Sequence, residues 1–78
     1  MMTAKLSRDL TPAELDALKL SASGWRICEI AERLNTSAGA VAQMRREYRE
    51  KLNAKTPEHA VALAFCYGII KAKDIDIL

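Results

Sequence analysis

Gln43, Arg45, Arg46 and Arg49 are the residues of this 78-residue chain whose types and spacing carry the most specific chemistry. A guanidinium is a planar fork of five N–H donors that matches phosphate oxygens and the O6/N7 edge of guanine. A glutamine amide matches the N6/N7 edge of adenine. Ser37 can cap a helix and hold a phosphate together with the amides that follow it, and Gly39, Ala40 and Ala42 are small enough for close approach. Side chains of these kinds on the outer side of one helix are what reading duplex DNA demands, with some reaching base edges and others holding phosphates. The arginines also alternate with Glu47 and Glu50, at spacings such as Arg46–Glu50 that form ordinary helical pairs. Taken alone, the run therefore also fits a solvated helix face. The elements around it must decide.

Other reactive side chains form no set. His59 is the only histidine, with no second ligand at metal spacing, and reads as a surface residue in the first turn of a helix. Cys66 lies seven residues on, on the same helix face, but no orienting acid or oxyanion donor accompanies the pair. Cys28 and Cys66 match no metal or redox pattern and read as small, reduced core residues of a cytoplasmic protein. No Gly-rich phosphate loop occurs, and Glu29 and Glu32 read as solvent-facing. The expectation is no catalysis, no cofactor and no metal.

Cap and stop residues delimit the elements. Residues 1–9 are polar and unpatterned and read as a flexible arm. Leu10 is the first residue expected to pack, as a staple against Leu15. Thr11-Pro12-Ala13-Glu14 is a capping box with proline at the first helical position. Leu15, Leu18 and Ala22 then share one stripe, and Gly24 stops the helix. Arg26 to Leu34 predicts a short second helix burying Ile27, Ile30, Ala31 and Leu34, with Trp25 a partly buried cover at its start. Ser37 caps a third helix from Ala38 to about Leu52, with Val41, Met44, Tyr48 and Leu52 inward. Gly39, Gln43, Arg46 and Glu50 lie opposite, flanked by Ala42, Arg45 and Arg49. Thr56-Pro57 starts a fourth helix that runs to about Tyr67, stops at Gly68 and is apolar nearly all round. Ile69 and Ile70 are expected to fold back on the core, and 71–78 is a tail.

Composition agrees. Half the residues are hydrophobic and 28% charged, a globular balance, and three Gly and two Pro favour a few helices over many strands. Twelve Lys+Arg against ten Asp+Glu give a net charge of only +2, so placement of charge matters more than its sum. The longest apolar run, between His59 and Lys71, falls well short of the ~20 residues that span a bilayer. No apolar segment follows Lys5 and Arg8 to suggest secretion. The expected fold is all-α with one domain over 10–70, and its second and third helices have the scaffold-and-reader arrangement of a helix-turn-helix. In that context the third helix reads as the one that enters the major groove.

In this order the residues resemble the LuxR-type (GerE-like) helix-turn-helix domain, over Leu10 to Ile70. The matching pieces are Leu10-Thr11-Pro12, Glu14, Leu18, Ala22 and Gly24. They continue with Glu29-Ile30-Ala31, Leu34, Ser37, Val41, Lys51-Leu52 and Ala60-Val61. The resemblance implies a four-helix transcriptional regulator, here free-standing, that binds double-stranded DNA as a homodimer paired through its fourth helix. By position, Ala42 stands where such domains commonly touch DNA with a lysine, Gln43 falls on a base-facing position and Arg46 on one that is often basic. Arg46 and Gln43 are accordingly expected to read bases, and Arg33, Ser37, Arg45 and Arg49 to hold phosphates, with Lys51 a weaker candidate. Ala60, Leu63, Ala64 and Tyr67 are expected to form the dimer contact. A rival reading is a protein-interaction module that kept the fold, lost strong DNA reading, and binds another transcriptional regulator or an RNA polymerase surface. The missing lysine at Ala42, the small net charge and the apolar fourth helix permit it.

Overall fold

The computed structural model describes residues 10–75, and within them the chain is all-α with no strand. The arm expected over 1–9 and the last three residues of the tail lie outside the described residues. The helices are α1 (Pro12–Ala22), α2 (Ile27–Arg33), α3 (Ala38–Lys51) and α4 (Pro57–Cys66), followed by a 3-10 turn at Ala72–Asp74. α2 is two residues shorter than its periodicity predicts. Arg26 is its extended N-cap, with its amide donating to Glu29 Oε1 at 2.8 Å, and Leu34 already leaves the helix.

Local chemistry accounts for each boundary. At α1 the Glu14 amide donates to Thr11 Oγ1 (3.1 Å) and the Thr11 amide to Glu14 Oε1 (3.0 Å), the reciprocal capping box. Ser37 Oγ accepts from the Ala40 amide (3.1 Å) and Thr56 Oγ1 from the His59 amide (3.0 Å), so α3 and α4 start on side-chain caps. The two turns that bracket α3 use asparagines in the left-handed region, Asn35 (φ +57°) and Asn53 (φ +56°). Asparagine tolerates that conformation better than any residue but glycine. After each, the chain folds back, the Thr36 amide donating to Ala31 O and the Ala54 amide to Arg49 O, both at 2.8 Å.

α3 is the central element, packed by α1, α2 and α4. Its Val41, Tyr48 and Leu52 are buried as the 3.6-residue period predicts, and Met44 packs at their edge. Ile30 and Ala31 of α2, Ala17 and Leu18 of α1, Leu10, Ala54, Ala60, Ala64 and Ile70 complete the core, and Trp25 covers its edge. The fold-back of Ile69 and Ile70 is present, with the Ile69 amide donating to Ala64 O at 2.8 Å.

Three expectations are corrected. α1 buries Glu14, Ala17 and Leu18, so its inward stripe is turned from the one expected, and Leu15 and Ala22 are only half-buried. Cys28 and Cys66 are exposed, not core residues. Cys28 sits off the Ile30–Ala31 stripe, and Cys66 lies two residues, about 200° of helix, past buried Ala64. Ala60 and Ala64 are fully buried inside the subunit, and Leu63 is half-buried. Of the four expected contact residues only Tyr67, at the C-cap of α4, is exposed (41%), and the outward side of the helix before it carries Glu58, Ala62, Phe65 (40% exposed) and Cys66.

Candidate nucleic-acid interface

α3 has one outward side and two unlike shoulders. Gly39, Gln43, Arg46 and Glu50 face outward and are exposed, as the helical period predicts. One shoulder holds Ala42, Arg45 and Arg49. With Arg46, Ile27 of α2 and Pro57 of α4 they line a shallow depression of about 150 Å³ whose floor is apolar and whose only charged lining groups are the three arginines. The other shoulder holds Ala40, Glu47 and Lys51, and Lys51 is committed to α1. Its Nζ lies 2.7 Å from Oε1 of Glu14, a residue left 2% exposed. The cationic side of α3 is therefore the one toward α2 and α4.

The arginines differ in how tightly they are held. Arg49 donates to Ala54 O (3.3 Å) and lies 3.9 Å from Glu50, which fixes it loosely across the turn after α3. Arg45 is half-buried. Its Nε has no hydrogen-bond partner among the described residues, and the side chain also lines a groove with Trp25, Arg26, Val61 and Glu58. Arg46 donates through Nη2 to Gln43 Oε1, and Gln43 Nε2 donates to Glu47 Oε2 at 3.0 Å. Gln43, expected as an adenine reader, is thus engaged at both ends of its amide.

The remaining expected residues are spread more widely. Ser37 is exposed at the start of α3, beside a first turn that carries no acidic residue. A carboxylate there would repel a phosphate from the positive end of the helix. Arg33 is exposed but its guanidinium stacks over the Trp25 ring, 5.5 Å from the centroid, in a groove with Glu29 and Glu32. It is not among the residues lining the α3 depression. Lys51 is paired, so its role is structural. Arg26, not among the residues expected at the interface, shares the Arg45 groove, and its place immediately before α2 is the sequence feature that marks it. His59 Nδ1 accepts from the Lys55 amide (3.0 Å), which ties it to the loop before α4.

Among the described residues Glu14 is the one group with a shifted acidity. Burial alone would push its carboxyl up. The Lys51 ammonium, together with the hydrogen bond from the Thr11 amide, outweighs that and holds it below its ordinary value. Among the described residues no group of three or more His, Cys, Asp or Glu could hold a metal. No helix there is long and apolar enough to cross a membrane.

Residues 13–54 match the model of the family described as the homeodomain-like domain. That span is more than half of the chain and runs from the first turn of α1 to the turn that closes α3. The chain belongs to the homeodomain-like domain family. The homeodomain-like match thus covers the helix-turn-helix, α2 and α3 with their brace α1, and ends before α4. No curated protein and no solved structure matches the chain.

Proposed function

We propose that this homeodomain-like chain is a transcriptional regulator that lays α3 in the major groove of duplex DNA. The observation that carries the reading is the exposed outward side of α3 with Arg46, flanked by the cationic shoulder of Arg45 and Arg49, while the opposite side forms the core. Arg46 is the base reader, suited to guanine O6/N7. Arg45 and Arg49, on the shoulder toward α2 and α4, hold backbone phosphates, and Ser37 with the amides after it holds another at the helix start. Arg33, farther off, serves only a flanking phosphate. Ala42 leaves room at the shoulder and supplies no charge. The function is binding, without catalysis or cofactor.

A LuxR-type mode of action adds a homodimer. With Ala60 and Ala64 inside the subunit, a second copy would meet Phe65 and Tyr67 with Ala62 on the outward side of α4. Two linked readers engage two half-sites, and symmetry of the site follows from symmetry of the dimer. Phe65→Glu should then lower self-association, as read by sedimentation.

The deciding experiment is a salt series with random duplex DNA, followed by fluorescence anisotropy. Binding that falls steeply as salt rises supports the proposal, because each neutralised phosphate releases counterions. Arg49→Ala should reduce the slope of log K against log salt by about one. Absence of binding at low salt refutes it and favours the second reading, an interaction module for another regulator or a polymerase surface. The exposed pair Phe65 and Tyr67 is the observation in favour of that alternative.

A further inference from the structure

We propose that Gln43 is a positioning residue, its side-chain amide clamped between Arg46 and Glu47 so that it aims the Arg46 guanidinium at a base edge instead of reading a base itself. The inference rests on the DNA-reading proposal above and assigns roles within that surface. Residues 43, 46 and 47 stand at i, i+3 and i+4, so their side chains meet on one strip of α3. Arg46 Nη2 donates to Gln43 Oε1, and Gln43 Nε2 donates to Glu47 Oε2.

Charge fixes the direction of this chain. Turning the amide over would set its NH₂ against a guanidinium and its carbonyl against a carboxylate, and both contacts would be repulsive. Arg46 is biased from its other flank as well, since it shares the depression with Arg45 and Arg49, two like charges. The guanidinium is pushed from that side and held on this one. Of its five N–H donors one goes to Gln43, and two of the rest suffice for O6 and N7 of guanine. An arginine ordered before binding loses less side-chain freedom on meeting DNA. For Gln43 to turn its own edge to adenine, both bonds must break, leaving the Glu47 carboxylate unmasked beside the groove.

The test selects bound sequences from random duplexes with the full chain, as wild type, Q43A, Q43E, R46A and the Q43A/R46A pair. The wild type should enrich a site with one guanine position that R46A relaxes. Q43A should weaken preference at that same position about three- to tenfold, the range expected for freeing one ordered side chain. Q43E, which still offers Arg46 an acceptor, should restore the preference even though its charge weakens all sequences alike. The double variant should be no worse there than R46A. The inference is overturned if Q43A relaxes a different position, which would make Gln43 a reader in its own right. It is equally overturned if Q43A changes nothing or if Q43E behaves as Q43A does. A wild type that enriches no sequence sinks the DNA reading and this inference together, and is recognised before any substitution is made. Both residues are exposed, so unchanged thermal midpoints should accompany every variant.

Discussion

Replacing Lys51 with alanine removes the counter-charge of a carboxylate that is otherwise sealed in the fold. Glu14 is 2% exposed and meets Lys51 at 2.7 Å. At an effective dielectric of about 20, two unit charges at that distance attract by roughly 6 kcal/mol. Part of this is offset by the water each group gives up, less for Lys51, whose side chain keeps 32% of its exposure. The Thr11 amide would still hold the abandoned carboxylate, which softens the loss. The expected cost is therefore about 2–4 kcal/mol, somewhat below the roughly 3–5 kcal/mol for stripping one partner from a fully buried pair, because Lys51 is partly exposed. In a domain this small each kcal/mol moves the midpoint by about 4–8 °C, so Tm should fall by roughly 10–30 °C. Lys55→Ala, at an exposed position outside the helices, should cost less than about 0.5 kcal/mol. The assay is urea denaturation of wild type, Lys51→Ala, Glu14→Gln and the double variant. The coupling energy from that cycle should exceed about 1 kcal/mol. A coupling near zero, or a Lys51→Ala variant as stable as Lys55→Ala, would refute the reasoning. Below the lowered midpoint, the salt slope for DNA should be unchanged, because Lys51 contributes no phosphate contact.

Glu14 also makes stability pH-dependent. Its folded pKa lies below the unfolded value of 4.5, so its contribution is complete above that value and lost as the pH falls through the folded pKa. Urea midpoints should drop below about pH 4.5 in the wild type and drop less in Glu14→Gln. Tyr48 is fully buried and its hydroxyl finds no partner among the described residues, so Tyr48→Phe should stabilise the fold by about 1 kcal/mol in the same assay. Ser37→Ala removes the cap of α3 and should cost about 1 kcal/mol, while Ser37→Gly costs only a few tenths.

What the sequence made legible was local. Thr11, Ser37, Thr56, Pro12 and Pro57 mark helix starts because a cap or a missing amide acts within one turn, and the period of α3 separates Tyr48 from Arg46 with no tertiary knowledge. What it hid depends on contacts between distant segments. Glu14 explains itself as a capping residue, so nothing in its neighbourhood announces Lys51, thirty-seven residues on. Ala60 and Ala64 fit a subunit core as well as a pairing face, since a small side chain favours close packing against any neighbour. Only the position of α1 and α3 against α4 decides between them. The candidate interface was legible as to helix and side, but not as to which of its polar groups are already engaged with one another.

Fourteen residues at about 1.5 Å apiece make α3 a rod of roughly 21 Å. The major groove is about 12 Å across. If α3 crosses that channel, as the proposed DNA reading has it, one end of the rod stays outside, and the trailing end carries Tyr48, Lys51 and Leu52, which knit the domain together. Drift at the outward positions of the leading turns, away from buried Val41 and the Ser37 cap, can then retarget the protein while the trailing turns keep it folded, so that new binding preferences need not be bought with stability.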